Sequence, residues 1–156
     1  MKKLYIVTGP PCAGKSTYCR EHMGPLDIVF DYDEIANALC YGTDHSYKEH
    51  VAGLTLQMRK VFIHFINNAL GIPGAVWIIN TAAPRNIAAQ VYGYEIEVVE
   101  LKATRQECLA RMMTDPARPD KKTWERAINK YFDDRQRDGY NSRGPLYSYE
   151  KGLEYT

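Results

Sequence analysis

A chain of 156 residues is the size of one ordinary domain, and 45% apolar with 25% charged residues lets it build a full core under a solvated surface. The formal net charge of +1 argues against a large non-specific nucleic-acid surface, because proteins that wrap long duplexes are usually more basic, and leaves room for gripping one end or one nucleotide. No apolar run reaches roughly eighteen residues, so no transmembrane helix and no membrane partner are expected.

In chain order, Met1 to Val7 places a short apolar stretch after two lysines. The run breaks at Thr8-Gly9-Pro10 with no small-residue cleavage site, so a buried strand over 3–8 is expected rather than a leader. Gly9 to Gly14 is a turn-rich loop, and a helix should start near Lys15 and stop at Gly24-Pro25. Residues 27–31 read as a second strand, followed by a short helix at roughly 33–40. Residues 41–50 are polar, with Gly42, Asp44 and Ser46, and read as a loop. Val51, Leu54, Met58, Val61, Phe62, Phe65 and Ala69 recur at helical spacing, which predicts one long amphipathic helix ending at Gly71-Ile72-Pro73-Gly74.

Residues 75–79 form a third buried strand, and Pro84 opens a short helix to about Val91. In the fourth strand, 95–101, glutamates partly alternate with apolar residues, as suits a sheet edge. Thr104 and Glu107 have capping-box spacing for a helix to about Met113. Residues 115–119 are irregular, and a last helix runs from Thr123 to about Arg137. From Gly139 on the chain is rich in Tyr, Gly and Ser and offers no clear strand. Strands alternating with helices predict a single domain over 1–156, an α/β fold with a parallel sheet and helices on both faces.

The four cysteines, Cys12, Cys19, Cys40 and Cys108, form no CxxC pair, so neither a zinc site nor a disulfide framework is expected. Scattered thiols suit a reducing, cytoplasmic location. His22, His45, His50 and His64 do not fall at ligand spacing with the cysteines, so they read as surface or partly buried residues.

Gly9-Pro10-Pro11-Cys12-Ala13-Gly14-Lys15-Ser16 matches G-x-x-x-x-G-K-[ST] at every fixed position, between an expected strand and an expected helix. This is the pattern of the P-loop NTPase fold. Backbone N–H groups of such a loop make an anion nest, and the helix N-terminus adds partial positive charge. Gly9, Cys12, Ala13, Gly14, Lys15, Ser16 and Thr17 are therefore expected to hold the phosphates of ATP. Lys15 would reach the β- and γ-phosphates, and the Ser16 hydroxyl would ligate Mg²⁺. No DxxG switch or NKxD-type base reader accompanies the loop, which argues against a GTPase. Asp31-Tyr32-Asp33 ends the second strand, where ligands of open α/β sheets bind. One of the two aspartates can accept the proton of an attacking hydroxyl, and the other can serve the magnesium water shell or cap the next helix.

The pattern G-P-P-C-A-G-K-S-T, a strand ending D-Y-D-E and a strand ending I-N-T-A-A-P-R resembles the kinase domain of bacteriophage-type polynucleotide 5′-hydroxyl kinases and their small phage and bacterial relatives. The likeness runs over about residues 1–137. It implies a four-stranded parallel sheet in the order 2-3-1-4, an ATP donor, and Asp33 as catalytic base with Asp31 beside the substrate. It places Asn80-Thr81 where the family has an acidic residue and a threonine, and it sets Arg85 on the acceptor. It further implies a lid over about 111–122, with Arg111 and Arg118 closing on the transferring phosphoryl group. Family members carry an arginine three positions after the base, where this chain has Ala36. The expected partner is a hydroxyl-bearing acceptor: a nucleic-acid 5′ end, a nucleoside or a hydroxylated base in DNA. A sugar or antibiotic kinase, or a nucleotide-binding module without transfer, are the alternatives.

Overall fold

The computed structural model describes residues 2–69, 71–81 and 84–137. The Tyr-rich segment from Gly139 lies outside the described residues. The described residues form four strands and six helices, in the order β1 Lys2–Thr8, α1 Lys15–His22, β2 Ile28–Phe30, α2 Tyr32–Cys40, α3 Glu49–Asn68, β3 Val76–Ile79, α4 Pro84–Ala88, β4 Tyr94–Glu100, α5 Arg105–Thr114 and α6 Lys121–Arg137. All strand pairs are parallel and the sheet order is β2-β3-β1-β4, as the resemblance implied. This is the architecture of the P-loop NTPases.

The central strands are apolar on both faces because both faces are covered. Leu4 and Ile6 of β1 and Val76 and Ile78 of β3 point to one side and pack with Ala36 of α2, Ile63 and Ile66 of α3 and Ile87 of α4. Val7, Trp77 and Ile79 point to the other side and pack with Cys19 of α1, where Tyr5 stacks on the Trp77 ring. A third cluster joins α5 to α6 through Cys108, Met112, Trp124 and Ile128, and Cys12 of the phosphate loop packs against it. The glutamates of β4 sit on an edge strand, as their alternation predicted.

Two boundaries differ from expectation for a physical reason. Both aspartates of the expected strand 27–31 lie outside β2, because each serves the backbone. The Asp27 carboxylate accepts from the Gly24 and Ala75 amides and from the Trp77 indole, at 2.9, 2.8 and 2.9 Å. Asp31 caps α2, accepting from the Asp33 amide at 3.2 Å. The helix expected from Pro84 to Val91 is α-helical only to Ala88, and tighter turns carry it on, with Gln90 N–H to Ile87 O and Val91 N–H to Ala88 O.

Candidate functional site

The carboxyl ends of β1, β2 and β3 open into one cleft of about 480 Å³. β1 delivers the phosphate loop, β2 delivers Asp31 and Asp33, and the α5–α6 junction delivers Arg111 and Arg118 from above. Ligands of open α/β sheets bind at this edge because strand ends and helix starts meet there.

The phosphate loop is shaped by backbone conformations that few residues adopt. Gly9 has φ 147° and Gly14 φ 90°, and Cys12, with φ 65°, is one of two described non-glycine residues with positive φ. A Cβ on Gly9 would stand 2.5 Å from the Leu101 carbonyl oxygen, so the chain just past β4 closes over the loop where only glycine fits. A side chain in the left-handed region at Cys12 is the kind of strain that collects at functional sites. Gly14 opens α1 without a side-chain cap, and the first turn of α1 holds no acidic residue. Its amides thus lack the side-chain acceptor that α2 takes from Asp31 and α5 from the Thr104–Glu107 capping box. An uncapped helix start behind a left-handed loop suits a phosphate group, so the residues present fit a nucleotide.

Lys15 is 6% exposed, and its ammonium donates to the Gly9 and Pro10 carbonyls at 3.0 and 2.8 Å. Burial pulls its pKa down to about 8, against the opposing pull of the Asp33 carboxylate. The Ser16 hydroxyl donates to Asp31 at 2.6 Å, which fixes the hydroxyl oxygen toward the cleft. Burial raises the Asp31 carboxyl pKa, and the Ser16 hydrogen bond partly offsets it. Among the described residues no group of three His, Cys, Asp or Glu is placed to hold a metal. The Ser16 hydroxyl beside Asp31 could supply an oxygen ligand to a divalent cation shared with bound phosphates.

The two aspartates are separated by the structure. Asp31 has its oxygens on Ser16 and on the Asp33 amide, so it is a fixture. Asp33 sits in the first turn of α2, and its carboxylate meets His45 Nδ1 at 2.9 Å inside the cleft. His45 comes from the 41–50 loop and was given no role by the sequence. The signal was a polar loop, but nothing local marked which of its residues would reach Asp33.

Arg111 lies in the last turn of α5 and donates to the Cys12 carbonyl at 3.2 Å, so it hooks the junction onto the phosphate loop. Arg118 is tied more firmly: it pairs with Asp115 and its guanidinium lies 4.7 Å from the Trp124 ring centre. It was expected to be a mobile clamp, and its side chain is only 12% exposed. Lys121 donates to the Met112 and Asp115 carbonyls at 2.9 and 2.8 Å. Thr114, Asp115 and Pro116 complete the cleft wall and were not singled out from the sequence. Asn80 and Thr81 are buried just past β3, and Arg85 stands in α4; none of the three is among the described residues lining the cleft. Burial raises the thiol pKa of Cys12 and of Cys108, the latter to about 11, so both act as packing groups rather than nucleophiles.

Among solved structures, a chain of the Pnkp1/Rnl/Hen1 RNA repair complex is similar, with a TM-score of 0.59 at 16% identity. The match covers 96% of this chain and 50% of that one, so this chain spans about half the length of that relative. The crystal structure of APE1195 matches with a TM-score of 0.45 at 16% identity, over 93% of this chain and 83% of that one. No protein-family model and no curated protein matches the sequence. At such identity the likeness shows the fold alone.

Proposed function

We propose that this protein is an ATP-dependent phosphotransferase that moves the γ-phosphate to a hydroxyl of a nucleic-acid or nucleoside acceptor. One observation carries the reading: Lys15 of the phosphate loop and Asp33 of α2 converge in a single cleft roofed by Arg111 and Arg118. A carboxylate in the same cavity as the phosphate loop gives the cleft a proton acceptor beside the phosphate site.

Bound ATP would supply the phosphoryl group, and Mg²⁺ at the Ser16 hydroxyl would neutralise part of its charge. The loop amides and the first turn of α1 hold the phosphates, and Lys15 adds a full positive charge there. Asp33 would accept the proton of the acceptor hydroxyl as the hydroxyl oxygen bonds to the γ-phosphorus and the bond from that phosphorus to the β–γ bridging oxygen breaks, releasing ADP. Arg111 and Arg118 stabilise the charge on the phosphoryl oxygens in transfer. Asp31 keeps the Ser16 hydroxyl oriented. Asn80, Thr81 and Arg85 lie at and beyond the end of β3, outside the described cleft lining, and would contact only a part of the acceptor that extends past the cleft.

The fold relative in an RNA repair complex supports a nucleic-acid acceptor. Ala36 points the choice further. The position where relatives carry a phosphate-holding arginine is 4% exposed here and packs in the core, so an acceptor with a 3′-phosphate has no partner there. That observation, with the near-neutral charge, also favours a second reading, a small-molecule kinase acting on a sugar-type hydroxyl.

The test is transfer of labelled γ-phosphate to 5′-hydroxyl DNA and RNA, DNA with hydroxymethylated bases, nucleosides and simple sugars, with Lys15→Ala as control. Label on one nucleic-acid class, lost in the control, supports the proposal. Transfer to sugars alone selects the second reading. ATP bound without transfer to any acceptor refutes the nucleic-acid reading and moves weight to a small-molecule acceptor outside the panel or to a nucleotide-binding module.

A further inference from the structure

His45 lies in a loop that is built to hold one side chain over the cleft. Tyr41 ends α2 in the left-handed region, φ 53°, and the Gly42 amide closes the helix onto the Asn37 carbonyl at 2.9 Å. A Cβ on Gly42 would stand 2.5 Å from the Asn37 side-chain oxygen and 2.4 Å from Lys48 Cε, so the loop folds tightly against its own root. Asp44 then organises the next turn. It accepts from the Ser46 amide at 2.9 Å, from the Ser46 hydroxyl, and from Lys48 at 3.1 Å. Lys48, 11% exposed at its side chain, also donates to the Asp44 and Ser46 carbonyls, both at 3.0 Å. These bonds pull the Asp44 carboxyl down to about 2 and make 44–48 a self-tied turn.

Two contacts of His45 leave this turn. Its side chain meets Asp33 Oδ2 at 2.9 Å, with the two side chains 25% and 19% exposed. Its backbone N–H donates to the Ala117 carbonyl, 2.6 Å away, in the segment between α5 and α6. An ionised carboxylate can only accept, so Nδ1 carries the hydrogen. The charged groups around the imidazole are Asp33 from α2, Asp115 from the α5–α6 segment, and Lys15 and Arg118 across the cleft.

We propose that His45 is the positioning residue of the Asp33 base: its Nδ1–H fixes the plane of the Asp33 carboxylate, and its backbone bond to Ala117 makes that alignment depend on the seating of the α5–α6 segment. This rests on the phosphotransferase reading above. The physical need is plain. The terminal torsion of an aspartate is broad, so an unheld carboxylate samples many planes. A hydrogen bond on Oδ2 restricts that torsion. The tie to Ala117 then couples two events. The same segment that carries Arg118 over the phosphates also seats the residue that aligns the base, so transfer is favoured only when donor and acceptor sides are both closed.

The experiment uses the full chain and four proteins: wild type, Asp33→Asn, His45→Ala and His45→Asn. The Asn amide places an N–H near the position of Nδ1 and so retains the bond to Asp33. Steady-state transfer should show a fall in kcat of about ten- to a hundredfold for His45→Ala, the scale of a misaligned reacting group. KM for ATP should stay unchanged, and His45→Asn should recover most of the loss. In parallel, nitrogen-15 shifts of the imidazole should show Nδ1 protonated in wild type and altered in Asp33→Asn, a readout that needs no turnover. A His45→Ala protein with wild-type kcat overturns the positioning role while leaving the phosphotransferase reading intact. Equal losses in His45→Ala and His45→Asn also overturn it, since a proton-carrying ring rather than an N–H donor would then be required. Wild-type protein that transfers to no acceptor overturns both proposals together.

Discussion

Lys15 makes a prediction in which function opposes stability. Its amine is buried, and burial moves its pKa from 10.5 down to about 8. A displacement of that size corresponds to roughly 3 kcal/mol by which the folded chain disfavours the charged amine. The sign comes from proton counting. Below about pH 8 the lysine is charged in both states, and the folded state carries the whole cost. Between about 8 and 10.5 the unfolded chain binds the extra proton, so stability rises with pH, and above that window the cost is gone. Lys15→Met keeps the length of the side chain and removes the charge. It also removes the hydrogen bonds to Gly9 and Pro10, each contributing about 1 kcal/mol. At pH 7 the variant should therefore be more stable than wild type by about 1 kcal/mol, with Tm raised roughly 2–4 °C. Toward pH 10 the advantage should vanish and reverse, because the neutral amine still donates. Urea denaturation of both proteins in steps across this range measures the difference; groups remote from Lys15 cancel because both chains carry them, while the Cys12 and Cys108 thiols, which feel the Lys15 charge, are replaced by serine in both proteins. Phosphoryl transfer by the variant should be lost at every pH. A stability difference that does not change with pH would refute the assignment of a strained, buried ammonium.

Asp33→Asn should lower kcat by about 10²- to 10⁴-fold while ATP binding, measured by calorimetry, is retained. A change confined to ATP affinity would move Asp33 from base to phosphate side. Gly9→Ala forces a Cβ to within 2.5 Å of the Leu101 carbonyl at φ 147°, and denaturation should show a loss of about 1–3 kcal/mol. A neutral effect would mean that the chain just past β4 and the phosphate loop can separate freely.

The features legible in the sequence were those written in short windows. Gly9 to Ser16 marked a strand, a left-handed loop and a helix start within a few residues, because the need for glycine at positive φ is local. The capping box at Thr104 and Glu107, the extent of α3 and the edge character of β4 were legible for the same reason: period and capping are properties of neighbours in the chain. The buried face of α3 was not: Leu54, Val61 and Phe65 of the expected stripe are exposed, and Val51, Thr55, Ile63 and Ile66 are the residues packed inward. Asp31-Tyr32-Asp33 was legible as a site but not as roles. Only the tertiary structure decides that Asp31 turns to Ser16, 15 positions away, while Asp33 turns to the cleft. His45 on Asp33, Arg111 on the Cys12 carbonyl 99 positions earlier, and Arg118 between Asp115 and the Trp124 ring were likewise settled by packing. Such contacts depend on how the loops close and which sheet edge the strands share, and no residue pattern within a single element encodes that geometry.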